Sequence, residues 1–286
     1  MFIGGNKDKV IENIKKSVSK QEYNVKVEVD DPNLSEWEKQ RTVNQFLKNS
    51  NTLRYKVCNI CARAIIDTAT RYLNRNTIIV GLEHLKGIQA GAIITSNHFN
   101  PLDNTVVRHT MKKASYKRMY IVSQDTNLEM KGMVGFLMRH ADIIPLSNNK
   151  KYINETFAAI IHKHLRKKHS ILIYPEQEMW FNYRKPRPPK RGAYYYAASN
   201  KVPIISCFVE IIDLPKEDTP EFYQTQYVMH VLPTIYPNPD LSVRENSIIM
   251  MKKDYEQKVE AYENAYGKKL SYDFDKKDIA GWICKE

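Results

Sequence analysis

Gly91-Ala-Ile-Ile-Thr-Ser-Asn-His-Phe-Asn-Pro-Leu-Asp103 is the stretch on which the reading of this chain turns. The apolar run Gly91–Ile94 reads as a buried strand that ends just before His98. Asn100 suits a helix N-cap and Pro101 the first helical position, so a helix is expected from 101. Asp103 then falls in its first turn. A strand that runs into a histidine, followed five residues later by a first-turn aspartate, can bring the carboxylate beside the imidazole. Bonded to one ring nitrogen, Asp103 would set the tautomer and stabilise the imidazolium. The other nitrogen is then free to take a proton from a hydroxyl as that hydroxyl attacks an acyl carbon. Eight histidines and 32 acids in 286 residues give this spacing about once by chance, so the strand–loop–helix context carries the argument.

Outward from this stretch, short apolar runs alternate with helical patterns. Strands are expected at Thr77–Val80, Ala92–Thr95, Met119–Val122, Asp142–Leu146, Ser170–Tyr174, Val202–Val209 and Tyr227–Leu232. Helices are expected at 101–113, 127–140, 151–168 and 189–199. Such alternation implies an α/β domain with a mostly parallel sheet flanked by helices. Ile248, Met251, Tyr255, Val259 and Tyr262 mark a C-terminal helix that Gly267 would cap. Ahead of the sheet, Val10, Ile11, Ile14 and Val18 share a helical face ringed by lysines. The reading preferred is a surface helix packed on the domain, over a basic membrane contact. Tyr23, Val25, Val27 and Val29 alternate like a strand, and Asp31-Pro-Asn33 reads as a turn. Ser35 and Glu38 have capping-box spacing. The division expected is a helical, amphipathic appendage over 1–75 and the main domain over 76–286.

Composition narrows the partners. Lys plus Arg is 44 against 32 for Asp plus Glu, a net charge of +12. This favours an anionic partner: an acidic membrane surface, a phosphorylated ligand, an acidic carrier protein or nucleic acid. Four cysteines make no disulfide framework, and Met1–Lys20 lacks the apolar region of a secretory signal. No run reaches the ~18 apolar residues of a spanning helix. The expected location is therefore cytoplasmic, peripheral on the inner face of the membrane. No Gly-rich phosphate loop and no Gly-x-Ser-x-Gly elbow is present.

Four segments in order resemble one family, the PlsC-type glycerolipid or lysophospholipid acyltransferases. Asn97-His98 with Asp103 resembles the first motif. Gly135–Arg139 through Asp142–Leu146 resembles the approach to the second. Ile173-Tyr-Pro-Glu176 resembles the third, with Pro188–Ala193 like the basic segment that follows it, and Val202-Pro-Ile-Ile205 resembles the fourth. The resemblance spans about residues 76–235. It implies the α/β fold of the glycerol-3-phosphate acyltransferases and transfer of an acyl group from a thioester (acyl-CoA or acyl carrier protein) to a lipid hydroxyl. His98 would be the general base, Asp103 its orienting partner, and Glu176 an aid to acceptor binding. Neither a metal nor a prosthetic group is expected. Two phosphate-reading arginines of the family are replaced: Pro145-Leu-Ser-Asn-Asn149 ends the second motif, and Met179 stands at the arginine position of the third. Either the nearby cations Lys150, Lys151, Arg184, Lys185 and Arg187 take over phosphate binding, or the acceptor lacks that phosphate.

Trp180–Arg191 mixes aromatics with cations and reads as an interfacial lip on anionic lipid. Tyr194-Tyr-Tyr196 reads as core. Cys58 and Cys61 lack a second pair for zinc and read as one buried helical face. His162, His164 and His169 read as a solvated basic face that can also dock a carrier protein. Two other readings stay open at this stage: a basic RNA- or polymer-binding protein, though no nucleic-acid module is recognisable, and a catalytically silent lipid-binding relative.

Overall fold

The computed structural model describes residues 6–29, 34–88, 90–116 and 118–283. Three helices come first: α1 (Lys7–Ser19), α2 (Glu36–Ser50) and α3 (Leu53–Leu73). The expected capping box at Ser35 and Glu38 opens α2. Then follow β1 (Ile78–Val80), β2 (Ala92–Thr95), α4 (Asp103–Lys113), β3 (Met119–Gln124), α5 (Gly132–His140) and β4 (Ile143–Leu146). Next come α6 (Lys150–Tyr152), α7 (Ala158–Arg166), β5 (Ser170–Leu172), α8 (Gly192–Ser199), β6 (Ile204–Thr219), β7 (Phe222–Val231) and α9 (Val243–Tyr266). Gly267 closes α9 in the left-handed conformation, at φ 63°.

The seven strands form one sheet in the order β1-β7-β6-β2-β5-β3-β4. All pairings are parallel except the β6–β7 hairpin. β2 lies in the middle with every residue buried, as a near-continuous apolar run requires. Its side chains alternate between two cores. Ile94 packs with Leu172 under Val106, Val107 and Met111 of α4. Ile93 packs with Ile171 and Ile204 under α7 and α8. The connection from β2 runs through α4 to β3 on one side, whereas that from β5 runs through α8 to β6 on the other. Adjacent strands whose chains leave in opposite directions open a crevice at their C-terminal ends, the usual ligand site of such sheets.

The N-terminal segment shares its cores with the sheet domain. Val10, Ile11, Ile14 and Val18 of α1 are buried with Trp180, Tyr183, Phe222 and Ile279. Val43 of α2 joins the α7–α8 core, and Ala62 and Ile66 of α3 pack on Ala141.

Several expectations need correction. Residues 23–29 form no strand. Residues 23–25 turn and bend, and carbonyls that a neighbouring strand would need are taken by side chains: Asn13 donates to Val27 and the Trp180 indole to Val25. The turn expected at Asp31–Asn33 lies outside the described residues. Helix α4 begins at Asp103 rather than 101, because the Asn100 side chain accepts from Leu102 N–H at 3.0 Å and closes a tight turn over Pro101. The helix expected over 151–168 carries a π-helical turn, Ile153–Phe157, between α6 and α7. β6 continues ten residues beyond Val209, because the polar stretch that follows pairs with β7.

Candidate active site

His98 leaves the end of β2 and Asp103 opens α4, so the loop between them folds over the carboxylate. Asp103 is 2% exposed and accepts four hydrogen bonds. On Oδ2 it meets His98 Nδ1 at 2.8 Å and the backbone N–H groups of Phe99 and Asn100 at 2.9 and 3.2 Å. On Oδ1 it accepts from the Tyr174 hydroxyl at 2.5 Å. Three donors on one oxygen fix the carboxylate, and the carboxylate fixes the imidazole with its proton on Nδ1. The Tyr174 ring stacks on the His98 ring, centroids 3.9 Å apart and 13° from parallel. Burial, and then the Asp103 charge, push the Tyr174 phenol well above its ordinary range, so it stays a donor. The His98 side chain is 21% exposed, and its Nε2 has no partner among the described residues. A base with one nitrogen held and the other open to solvent is the arrangement proton abstraction needs.

Glu176 and Arg187 lie behind His98, both buried. Glu176 Oε2 accepts from the backbone N–H of His98 at 3.2 Å and from Arg187 Nη2 at 2.8 Å and Nε at 3.1 Å. Its Oε1 accepts from Arg187 N–H at 2.9 Å. Burial lowers the proton affinity of the guanidinium, and the Glu176 charge opposes that shift. Asn97, next to His98, ties both backbone groups of Val209 with its amide at 2.8 and 3.0 Å. Thus β2 is anchored to β6 one residue before the histidine.

The other cations expected at the site are divided between core and surface. Lys185 is buried against Asp278 at 2.6 Å and the Asp273 carbonyl at 2.7 Å. Arg184 pairs with Asp213 at 2.5 Å. Trp180, Asn182 and Tyr183 are buried as well. The loop is therefore not the solvent-facing lip expected from its sequence. Asp213, Asp278 and Glu176 neutralise Arg184, Lys185 and Arg187, and α1 covers its aromatics, while Lys190 and Arg191 stay exposed. Lys150 and Lys151 are exposed at the end of β4. They follow β4, whose C-terminal end is on the same sheet edge as that of β2 but three strand spacings away, about 14 Å.

Sequence reasoning missed the part played by Tyr174 and Trp180. Tyr174 was legible only as the end of an apolar run; its stacking depends on β2 and β5 being neighbours. Trp180 N–H donates to the His98 carbonyl at 3.1 Å. Beneath the site, Asp254 of α9 accepts from Thr95 at 2.9 Å and Lys258 at 2.8 Å, and from the Tyr194 hydroxyl. All four residues are buried. Tyr195, by contrast, is 47% exposed, so the tyrosine run is only partly core. His162 is exposed, but His164 is half-buried, its ring packed on Tyr120 at 3.8 Å. Cys61 is exposed and Cys58 half-buried, so they do not share a buried face. Among the described residues no cluster of His, Cys, Asp or Glu has the makings of a metal site.

Comparison with known proteins agrees with this geometry. Residues 72–210, which hold His98, Asp103 and Glu176, match the Acyltransferase family model. The fold is similar to that of PlsC, the 1-acyl-sn-glycerophosphate (LPA) acyltransferase of Thermotoga maritima, with a TM-score of 0.51 at 12% identity. The match covers 91% of this chain and 99% of that one. A comparison with curated proteins finds no significant match. The chain thus carries an Acyltransferase-family segment over residues 72–210, on a fold similar to that of PlsC. It is accordingly an enzyme that transfers acyl groups.

Proposed function

We propose that the protein moves a fatty acyl group from acyl-CoA or an acyl carrier protein to a hydroxyl of a lysophospholipid or related lipid, with His98 as general base. The observation that carries this reading is the 2.8 Å contact of His98 Nδ1 with buried Asp103, which leaves Nε2 open at the crevice. Nε2 takes the acceptor's proton as its oxygen attacks the thioester carbonyl. The tetrahedral intermediate then collapses, the C–S bond breaks, and the imidazolium returns its proton to the leaving thiolate. Asp103 stabilises the imidazolium between the two transfers. No nucleophilic side chain is needed, so acyl transfer is direct. Glu176 and Arg187 support the site from behind, since their polar groups face His98 and each other. Lys150 and Lys151 are the solvent-facing cations for the phosphate of a headgroup that lies along the sheet edge.

The lipid surface on which this happens is best served by α3. No described helix is long and apolar enough to cross a membrane. On the side of α3 opposite its buried residues, Leu53, Val57 and Ile60 are 77%, 55% and 65% exposed. Arg54 and Lys56 are exposed beside them. An apolar stripe with cationic flanks suits an anionic bilayer. These exposures support lipid contact through α3 instead of through residues 180–191.

The test is acyl transfer by purified protein from a long-chain acyl-CoA and from an acyl carrier protein to a panel of lysolipids, with products identified by mass spectrometry. Transfer that His98→Ala abolishes is expected. Transfer retained by His98→Ala, or none with any pair, refutes the assignment. In the same preparations, serine at positions 53, 57 and 60 is expected to abolish sedimentation with anionic vesicles, and unchanged sedimentation refutes the docking face.

A further inference from the structure

We infer that Arg187 is a positioning residue for His98 and not a reader of substrate phosphate. The inference rests on the reading of His98 as the base and adds to it what holds that base in place. Both peptide groups of His98 are gripped by the same buried pair. On one side, the His98 N–H donates to Glu176 Oε2 at 3.2 Å. On the other, the His98 carbonyl accepts from Arg187 Nη2 at 3.3 Å, beside the Trp180 N–H at 3.1 Å. Arg187 is 2% exposed and extends from one wall of the site to the other. Its Nη1 donates to the Tyr23 carbonyl at 2.9 Å, its Nη2 to the Glu178 carbonyl, and its plane lies over the Trp180 ring at 4.6 Å.

This accounts for the burial of a guanidinium so close to the reaction. A planar fork with five donors satisfies several carbonyls and a carboxylate at once, which an ammonium on a flexible stem does not. A surface arginine awaiting a phosphate would keep its outer donors toward solvent. Here they point at the main chain of residues 23, 98 and 178. The clamp also ties the N-terminal segment to the reaction centre. Asn24 donates to the Glu176 carbonyl at 3.2 Å and to the Pro188 carbonyl at 2.8 Å, next to the Arg187 contact with Tyr23. Residues 23–25 therefore act as the back wall of the catalytic loop. At the position where the family resemblance calls for an arginine stands Met179, so the cation that meets Glu176 arrives from further along the loop.

Two variants test the inference, Arg187→Lys and Glu176→Gln; each keeps the volume of the side chain it replaces. Two readouts separate a clamp from a substrate contact. The first is the low-field proton resonance of the His98 Nδ1–H bonded to Asp103, recorded without substrate and assigned by its loss in His98→Ala. It is expected to be sharp in the wild type and broadened or lost in both variants at a temperature where circular dichroism shows them folded. The second is steady-state kinetics with a phosphorylated lysolipid. A displacement of the base costs kcat roughly 10- to 100-fold, with the acceptor KM unchanged within about twofold. A KM raised tenfold or more at unchanged kcat would make Arg187 a phosphate contact and overturn the inference. So would a wild-type resonance and wild-type kcat in folded Arg187→Lys and Glu176→Gln. If the wild-type protein shows no His98-dependent transfer, the reading of the reaction fails, while the resonance still decides whether Arg187 and Glu176 hold the imidazole.

Discussion

Replacing Asp103 by asparagine separates the charge of the carboxylate from its shape. Oδ2 faces three donors: the His98 imidazole and the N–H groups of Phe99 and Asn100. The asparagine oxygen must occupy that position, since the amide NH2 would point at three N–H groups. The amide nitrogen then faces the Tyr174 hydroxyl, which rotates to accept. His98 thus keeps its tautomer and orientation, and what disappears is the negative charge opposite the imidazolium formed during the reaction. For charges about 4 Å apart at an effective dielectric constant near 20, that attraction is about 4 kcal/mol. At 1.36 kcal/mol per factor of ten, kcat is expected to fall about 1,000-fold. The acceptor KM should stay within a few-fold, because the carboxylate is buried and reaches the crevice only through His98. Stability should fall by only about 1–2 kcal/mol as charge-assisted hydrogen bonds become neutral ones. The assay is formation of acylated product by mass spectrometry, since the exposed Cys61 thiol would react with a colorimetric thiol reagent. A folded Asp103→Asn protein with kcat within tenfold of wild type would refute the reasoning and reduce Asp103 to a brace for the first turn of α4.

Two further outcomes follow from groups outside the reaction centre. His164 packs on Tyr120 and lies 3.2 Å from His169, and burial, then His169, lower it from 6.5 to about 4. The folded protein keeps His164 neutral, whereas the unfolded chain binds a proton below 6.5, so this contribution is complete above 6.5 and is lost as the pH falls toward 4. Urea unfolding of His164→Phe should show a flatter decline across that window, and an unchanged decline would exclude His164 as a source. Asp254 is fully buried with Lys258, Tyr194 and Thr95, so Asp254→Ala leaves an uncompensated buried cation. A loss of about 3–5 kcal/mol in urea unfolding is expected, partly recovered by adding Lys258→Met; a loss below 1 kcal/mol would contradict it.

The strand–loop–helix around His98 was legible because its signals are local. Apolar runs mark β2 and β5, and a five-residue separation brings Asp103 back on His98 whatever the rest of the chain does. The order of the motifs, the cap of α2 and the Gly267 end of α9 are legible for the same reason: each depends on residues within one or two turns of itself. The start of α4 was misplaced by two residues because Asn100 had two local uses. Its side chain serves the N–H of Leu102, making a turn where a cap was expected.

The fate of the cations was decided by tertiary structure. Arg184, Lys185 and Arg187 look in the sequence like a basic, aromatic surface loop, yet Asp213, Asp278 and Glu176 neutralise them and α1 covers the aromatics just ahead of them. The partners of Arg184 and Lys185 are distant in sequence, and burial of a charge follows from who meets it, not from its own neighbours in the chain. α3 is the converse case. Apolar residues occur all round that helix, and only its packing on α4 and α5 determines that Leu53, Val57 and Ile60 are left facing out. The sequence by itself determined the elements and the His98–Asp103 pair, because hydrophobic period and short-range hydrogen bonding are properties of a segment. The enclosure of that pair by Tyr174, Glu176 and Arg187, and the apolar face that α3 leaves exposed, came from the assembled sheet, because desolvation and charge pairing are properties of contacts between segments.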